Sequence, residues 1–312
     1  MTPVLPPPTR QGKVRDIYDL GDQLLLVTTD KISAFDYVLQ STIPHKGEVL
    51  TQLSLFWFNH LSDGENPIPN HLISSNINDL AEQYVPVANY LAGRFMLVKK
   101  AKPFPVECIV RGRLTPSLQD ELSQNNTLHG VPIEKLTCGK SPDQVFPLFT
   151  PSTKAEVGDH DINISLDQMI DLVGADHTNQ LRDLSIDIFK RAARHCASRD
   201  ITLIDTKFEF GLIENSDGSS QITLIDEVLT PDSSRFQVVD STGGSPNECF
   251  DKQFVRDWLL NDSGWSPDLG TAPPPLPAEI IKATSAKYIQ AYERITGQPF
   301  VPAARQASQG DA

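Results

Sequence analysis

The stretch ITLIDTKFEFGLIENSDGSSQITLIDEVLT, residues 201–230, decides how this chain is read. Two β-branched, apolar runs flank a polar break containing Asp217-Gly218, the pattern of two strands joined by a tight turn. Successive side chains on a strand point to opposite faces. Asp205, Lys207 and Glu209 therefore share one face, while Thr206, Phe208 and Phe210 share the other. Pairing about Asp217-Gly218 predicts that Asp226 stands opposite Glu209, with the neighbouring Glu227 as the other candidate for that place. Carboxylates facing each other across a sheet repel. A hard cation removes the repulsion, and Mg²⁺ takes carboxylate and phosphate oxygens together. The face thus fits a Mg-nucleotide site with Lys207 beside it; the plainer reading is a solvated polar face.

Working upstream, Lys13 to Leu20 and Gln23 to Thr29 read as strands around Gly21-Asp22, and VLTQLSLFWFNHL (49–61) reads as a helix that GENPIPN ends. Residues 93–114 read as two strands around a proline-containing bend, and 124–161 as mostly loop. Leu181 to Arg199 is the clearest helix, with Leu184, Ile188, Phe189, Ala192 and Cys196 along one side. Downstream, DKQFVRDWLL and AEIIKATSAKYIQAYERITG read as helices. Strands dominate early and mix with helices later, which predicts an α+β arrangement without repeated βαβ units.

The 312 residues are 39% apolar and 21% charged, which excludes a disordered chain or a coiled coil. At about 150 residues per domain the length predicts two domains, with room for a small third. The 27 basic and 40 acidic residues leave a net charge of −13, so a broad nucleic-acid surface or a polybasic membrane anchor is not expected, although a local basic pocket is compatible. No apolar run reaches membrane-spanning length, and the first residues do not read as a secretory leader. Cys108, Cys138, Cys196 and Cys249 are scattered, which predicts buried, reduced thiols of a cytoplasmic protein rather than a zinc site.

Three further segments carry chemistry. GKVRDIY (12–18) could lay backbone N–H groups, Lys13 and Arg15 against phosphates, although it has neither Walker nor dinucleotide spacing. Arg111 and Arg113 share a face in ECIVRGRL, with Ser117 shortly after, and Arg235 follows a DSS turn; guanidinium forks suit phosphate or carboxylate. PLFTPSTKAEVGDHD places Lys154, Glu156, His160 and Asp161 in one proline-bounded loop, a length of loop that is commonly functional; His160 has only a supporting role in this reading.

Nine segments stand in one order: GKVRDIY, TTDKISAFD, VLTQLSLFWF, VECIVRG, FTPSTKAE, DTKFEFG, DEVLTPDSSRF, DKQFVRDW and KYIQAYERITG. Together they resemble the longer form of the SAICAR synthetase family (phosphoribosylaminoimidazole-succinocarboxamide synthases) from about Gly12 to Gly297. The resemblance implies a two-lobed α+β fold related to ATP-grasp and protein-kinase architectures. It implies a β-rich N-terminal lobe over residues 1–98, a central α+β lobe over 99–245 and a C-terminal helical segment over 246–312. It implies that ATP activates the carboxylate of carboxyaminoimidazole ribotide as an acyl phosphate, which the amine of L-aspartate attacks. ATP and Mg²⁺ are the implied cofactors, and the implied partners are small-molecule substrates, without nucleic acid or membrane. A monomer or small homo-oligomer in the cytoplasm is expected.

Residue by residue, the resemblance implies that Gly12, Lys13, Val14 and Arg15 cover the ATP phosphates, with Lys99 at the hinge near adenine and Glu107 close by. Glu209 and Asp226 would hold Mg²⁺. Lys207 and Asp205 would be the catalytic residues, Lys207 facing the substrate carboxylate or the phosphoryl group. Arg111, Ser117 and Arg235 would bind the ribotide phosphate, Asp232, Ser233 and Ser234 would line the same pocket, and Lys154 and Asp161 would place aspartate or the ribotide. The chain departs from the family pattern at Arg113, Pro116, Gln119, Gln237 and Ile162, and at His45, where IPGKG reads IPHKG. These changes sit around the substrate, so the alternative is a diverged paralogue joining another carboxylate and amine. A catalytically silent nucleotide-binding protein is a further alternative, against which the retained Lys207, Glu209 and Asp226 argue. A protein kinase is not expected, since HRD and DFG motifs are missing.

Overall fold

The computed structural model describes residues 5–35, 37–137, 146–154, 161–215, 217–238, 250 and 252–303. The chain opens with strands β1 (Arg10–Gln11), β2 (Arg15–Asp19) and β3 (Gln23–Thr28), then the separate hairpin β4 (Lys31–Ala34) and β5 (Tyr37–Thr42). Helix α1 (Lys46–Ser62), β6 (Leu72–Ser74), α2 (Ala88–Leu91) and β7 (Phe95–Lys99) follow. A five-stranded sheet forms in the order β1-β2-β3-β7-β6. Helix α1 begins three residues earlier than its apolar run, behind His45 in the left-handed conformation at φ 65. Glycine reaches that conformation without steric penalty, which accounts for the glycine of the family pattern at this place.

The middle of the chain contains β8 (Lys102–Pro103), β9 (Val106–Arg111), α3 (Pro116–Asn125), the hairpin β10 (Thr127–Leu128) and β11 (Val131–Pro132), and α4 (Glu134–Thr137). Next come β12 (Leu148–Phe149), β13 (Ser152–Thr153), α5 (Leu166–Val173), α6 (Ala175–Ala197), β14 (Ile201–Glu214), β15 (Ser220–Ile225) and β16 (Ser234–Val238). Helices α7 (Gln253–Asn261) and α8 (Ala278–Thr296) complete the described elements. Residues 124–161, expected as mostly loop, therefore carry a hairpin, a short helix and two short strands in their described parts. Pro116 occupies the first turn of α3, where a fixed φ and a missing N–H cost nothing.

The second sheet is built on β14. Its ladder runs β12-β9-β14-β15, with β16 and β8 also paired to β14 and β13 to β9. Phe208 and Phe210 on one face of β14 are buried in the main apolar cluster with Ile188, Phe189 and Ala192 of α6. That cluster also takes in Leu26, Val49 and Met96 from the first sheet and α1, and Tyr288, Ala291 and Ile295 from α8. The sequence-derived alternation is thus realised: the aromatic face faces α6, and Asp205, Lys207 and Glu209 are left for the opposite face. Cys108 and Cys196 are buried free thiols, and burial pushes the Cys108 thiol up to about 12; Cys138 and Cys249 lie outside the described residues. No helix among the described residues is long and apolar enough to cross a membrane.

Candidate active site

Strand pairing assembles the first half of the site. Asp205 on β14 stands opposite Arg111 of β9 on one side and Arg235 of β16 on the other. Its Oδ2 accepts from Arg111 Nη1 at 3.1 Å, and its Oδ1 accepts from Arg235 Nε at 2.8 Å. Arg235 Nη2 also donates to Oδ2, so both carboxylate oxygens are occupied by guanidinium groups. These side chains open into a cavity of about 320 Å³ whose walls include Lys207, Ser233 and Ser234. Lys252 and Arg256 of the α7 region also line it, so five basic side chains and two acidic ones, Asp205 and Asp232, surround the space. Such a cavity selects anions.

The DSS turn is tied down from behind. Asp232 accepts from Lys46 Nζ at 2.7 Å, from Lys252 Nζ at 3.1 Å and from the Tyr288 hydroxyl at 2.6 Å. Lys46 is fully buried. Burial alone would raise the Asp232 pKa, but Lys252 and Lys46 overcome it and hold the carboxyl below the usual range. Lys207 N donates to Ser233 O at 2.9 Å, which joins the turn to β14.

The second half is a chain of ion pairs along the same face of β14. Lys207 Nζ donates to Glu107 Oε1 at 2.6 Å and to Glu209 Oε1 at 2.9 Å. Lys154 donates to the other oxygen of Glu209. Arg15 donates to Asp226 and lies 3.4 Å from Glu227. Burial alone would lower the Lys207 pKa, but Glu209, Glu107 and Asp226 outweigh it and keep the ammonium charged. Glu209 is held below the carboxylate range because Lys207 and Lys154 outweigh its burial. Asp226 is pushed the other way, by burial and then by Glu209 and Glu227 acting against Arg15.

The expected register is corrected by one residue: Glu209 pairs with Ile225, not Asp226. The reason is the turn. The hairpin closes at Asn215 N to Ser219 O, with Gly218 at φ 82, so the loop holds one residue more than the two of an Asp-Gly turn. Asp226 lies just beyond β15 at φ 66, and this left-handed residue returns its side chain to the acidic group.

A second cavity of about 350 Å³ touches this group. Aliphatic Ile17, Leu24, Leu26 and Val98 form one side, and Lys99, Lys154, Glu209 and Asp226 form another. Gly12 N donates to Arg15 O at 2.7 Å in a tight turn, where a Cβ on Gly12 would stand 3.1 Å from that oxygen. Val14 O accepts from Thr29 N and Oγ1, both at 2.9 Å, so the turn carrying Lys13 and Arg15 is anchored to the first sheet. His71, on the wall of this cavity, is pushed down to about 3, chiefly by burial, and is neutral.

Most of the residues singled out in the sequence meet here. Ser117 does not: it is exposed at the start of α3, 3.2 Å from Thr115 Oγ1, and it lines neither cavity. Asp161 is exposed, and it adds to the burial that raises the Glu107 pKa. Glu156 and His160 lie outside the described residues. Sequence reasoning missed Lys46, Lys252, Arg256, His71 and His129. For Lys252 and Arg256 a signal existed, since a spacing of four sets both on one side of a helix. For Lys46 there was none.

A family model described as SAICAR synthetase matches residues 8–271. A phosphoribosylaminoimidazole-succinocarboxamide synthase of Desulforapulum autotrophicum is 48% identical over 93% of this chain and 94% of its own length. One from Geobacter sulfurreducens is 47% identical over 92% and 94% respectively. Among solved structures, the SAICAR synthase of Saccharomyces cerevisiae complexed with SAICAR superposes with a TM-score of 0.76 at 38% identity, covering 94% of this chain and 95% of that one. A SAICAR synthetase in complex with ADP superposes with a TM-score of 0.63 at 22% identity, covering 94% and 99%, and supports the fold.

Proposed function

The chain belongs to the SAICAR synthetase family, and from that premise we propose how its two cavities divide the work. The protein is an ATP-dependent ligase of purine biosynthesis. It joins the carboxylate of carboxyaminoimidazole ribotide to the amine of L-aspartate, giving SAICAR, ADP and phosphate. Relatives of this name at 47–48% identity over nearly the whole chain disfavour the diverged-paralogue alternative.

The observation that carries the division is the Lys207–Glu209 ion pair at 2.9 Å, since Lys207 lines the anion-selecting cavity and Glu209 the aliphatic-walled one. ATP takes the aliphatic-walled cavity, with its base against Ile17, Leu24, Leu26 and Val98 near Lys99. Its phosphates lie under the Gly12–Arg15 turn. The ribotide phosphate takes the fork of Arg111 and Arg235, with Ser233 and Ser234 on the wall. Asp205 orients both guanidiniums. Lys252 and Arg256 supply the remaining positive charge, which suits the two carboxylates of aspartate.

A carboxylate is a poor electrophile, and phosphorylation gives it a leaving group. The ribotide carboxylate oxygen attacks the γ-phosphorus and ADP departs. The aspartate nitrogen then attacks the acyl carbon, inorganic phosphate departs, and the nitrogen loses a proton. Lys207, held protonated between Glu107 and Glu209, stabilises negative charge on the phosphoryl group in transit. Glu107 is assigned to orienting Lys207, and Lys154 to partnering Glu209 until substrate arrives.

Mg²⁺ fits the donor set. Burial, and then Glu209 and Glu227, raise the Asp226 pKa from its ordinary value, and a hard divalent ion uses one or two carboxylates with phosphate oxygens and water. No preassembled group of three metal-ligating side chains is present among the described residues. Glu209 and Asp226 would hold the ion, which supplies charge neutralisation on the β- and γ-phosphates. We assign the protein to the cytoplasm, a reading supported by its buried free Cys108 and Cys196, and we read it as a monomer or small homo-oligomer. The three-segment division at 1–98, 99–245 and 246–312 belongs to the same proposal.

A steady-state assay with ribotide, aspartate and Mg-ATP tests the reaction; absence of turnover by a folded protein that binds Mg-ATP would reject it. For the metal, Glu209→Ala is expected to weaken Mg-ADP binding by about 30-fold in calorimetry while metal-free ADP binding changes little. Unchanged Mg-ADP affinity removes Glu209 from the metal.

A further inference from the structure

The small β10–β11 hairpin has no part in the division of labour above, yet its tip reaches the phosphate fork. His129 and Gly130 are both in the left-handed conformation, at φ 51 and 76. That conformation is uncommon for a side chain other than glycine, and here one carboxylate holds it. Glu121 of α3 accepts from Thr127 Oγ1 at 2.7 Å, from Gly130 N at 2.8 Å and from His129 N at 3.0 Å. The gathered tip sets His129 Nε2 at 3.0 Å from Arg111 Nη2. A guanidinium only donates, so the imidazole nitrogen must accept, which puts the ring proton on Nδ1.

Every nitrogen of Arg111 then has a protein partner. Nε donates to Thr150 Oγ1 at 3.0 Å, Nη1 to Asp205 and Nη2 to His129. A guanidinium has five N–H bonds in a rigid plane. Three are committed, which leaves one on each terminal nitrogen for an anion in the cavity. Arg111 lines that cavity and His129 does not, so any effect of His129 on a ligand passes through Arg111.

We propose that His129, as the neutral Nδ1–H tautomer, is a positioning residue for the substrate phosphate, fixing the plane of the Arg111 guanidinium from behind. The proposal rests on the reading of the Arg111–Arg235 cavity as the ribotide-phosphate site. The charged groups facing His129 are Arg111 on β9, Glu121 on α3, Arg235 on β16 and Asp205 on β14. Burial, then Arg111 and Arg235, push its pKa below the usual histidine value against Glu121 and Asp205. The ring is therefore neutral at neutral pH. Protonation in acid would turn the acceptor into a donor and free Arg111 to swing.

The test compares the full-length protein with His129→Gln, whose amide oxygen can still accept, and with His129→Leu. At about pH 7.5, His129→Leu should raise the ribotide KM about tenfold with kcat within about twofold, and His129→Gln should stay within about threefold of wild type. The substrate phosphate itself titrates near pH 6, so the wild-type KM divided by the His129→Gln KM isolates the imidazole. That ratio should climb as pH falls from about 7.5 toward 5. An unchanged KM in His129→Leu overturns the proposal. So does equal impairment of both variants with a lowered melting temperature, which would mark a merely structural hairpin contact. Nitrogen-15 spectra of the wild-type protein give a readout that needs no variant: Nε2 should be unprotonated at neutral pH, and a protonated Nε2 overturns the proposal. If wild type makes no SAICAR, the functional reading fails by itself. Calorimetry with inorganic phosphate on the same three proteins still judges His129. Weakening in His129→Leu with recovery in His129→Gln supports its role, and no weakening overturns it.

Discussion

Lys207→Met is expected to lower kcat by about 10³ while the KM for ATP moves only a few-fold. The methionine keeps the packing of the stem and removes the charge, so the loss is one of electrostatic stabilisation, for which single preorganised donors are worth about 10²–10³. The value lies at the upper end because Lys207 sits between Glu107 at 2.6 Å and Glu209 at 2.9 Å. Without the ammonium, buried Glu107 and half-buried Glu209 repel the phosphoryl group in transit as well as each other. Single-turnover kinetics with the ribotide, aspartate and Mg-ATP would measure this directly. A chemical step within tenfold of wild type would remove Lys207 from the reaction.

The second large effect is on stability. Asp232→Ala should destabilise the fold by about 3–5 kcal/mol, because it strands the fully buried Lys46 and also deprives Lys252 and Tyr288 of their acceptor. For a chain of this size that corresponds to about 5–8 °C in melting temperature. Lys46→Met should cost less than half as much, since Asp232 keeps Lys252 and Tyr288. The difference must also depend on pH. The Asp232 carboxyl titrates lower in the folded state than its ordinary 3.8. Its contribution is therefore complete above the unfolded pKa and is lost as pH falls below about 4. Urea melts at pH 7 and at about pH 3 should show the wild type and Asp232→Ala converging in acid. A gap that stays constant would contradict the assignment.

The charged face of β14 was legible because a two-residue period needs only the order of residues: Asp205, Lys207 and Glu209 against Phe208 and Phe210. The partner of Glu209 was not, since one extra turn residue shifts every pair in a hairpin, and the alternation on either strand is silent about it. Helices α6 and α8 showed through their apolar stripes. The β10–β11 tip did not, because its order comes from Glu121 gathering backbone N–H groups across the loop. Lys46 was invisible for a related reason. A single lysine between His45 and Gly47 is informative only once Asp232, far along the chain, is known to lie 2.7 Å away. The resemblance placed Asp205 in catalysis; the geometry occupies both its oxygens with Arg111 and Arg235.

The Tyr288 hydroxyl bonded to Asp232 at 2.6 Å has a bearing on biosynthesis of the protein itself. The residues around the two cavities have all emerged by Arg256, yet the turn that carries Ser233 and Ser234 is secured by a side chain of the last described helix. A nascent polypeptide still lacking that helix holds Asp232 through Lys46 and Lys252 alone. The last fastening of that turn is therefore added only once α8 has been made.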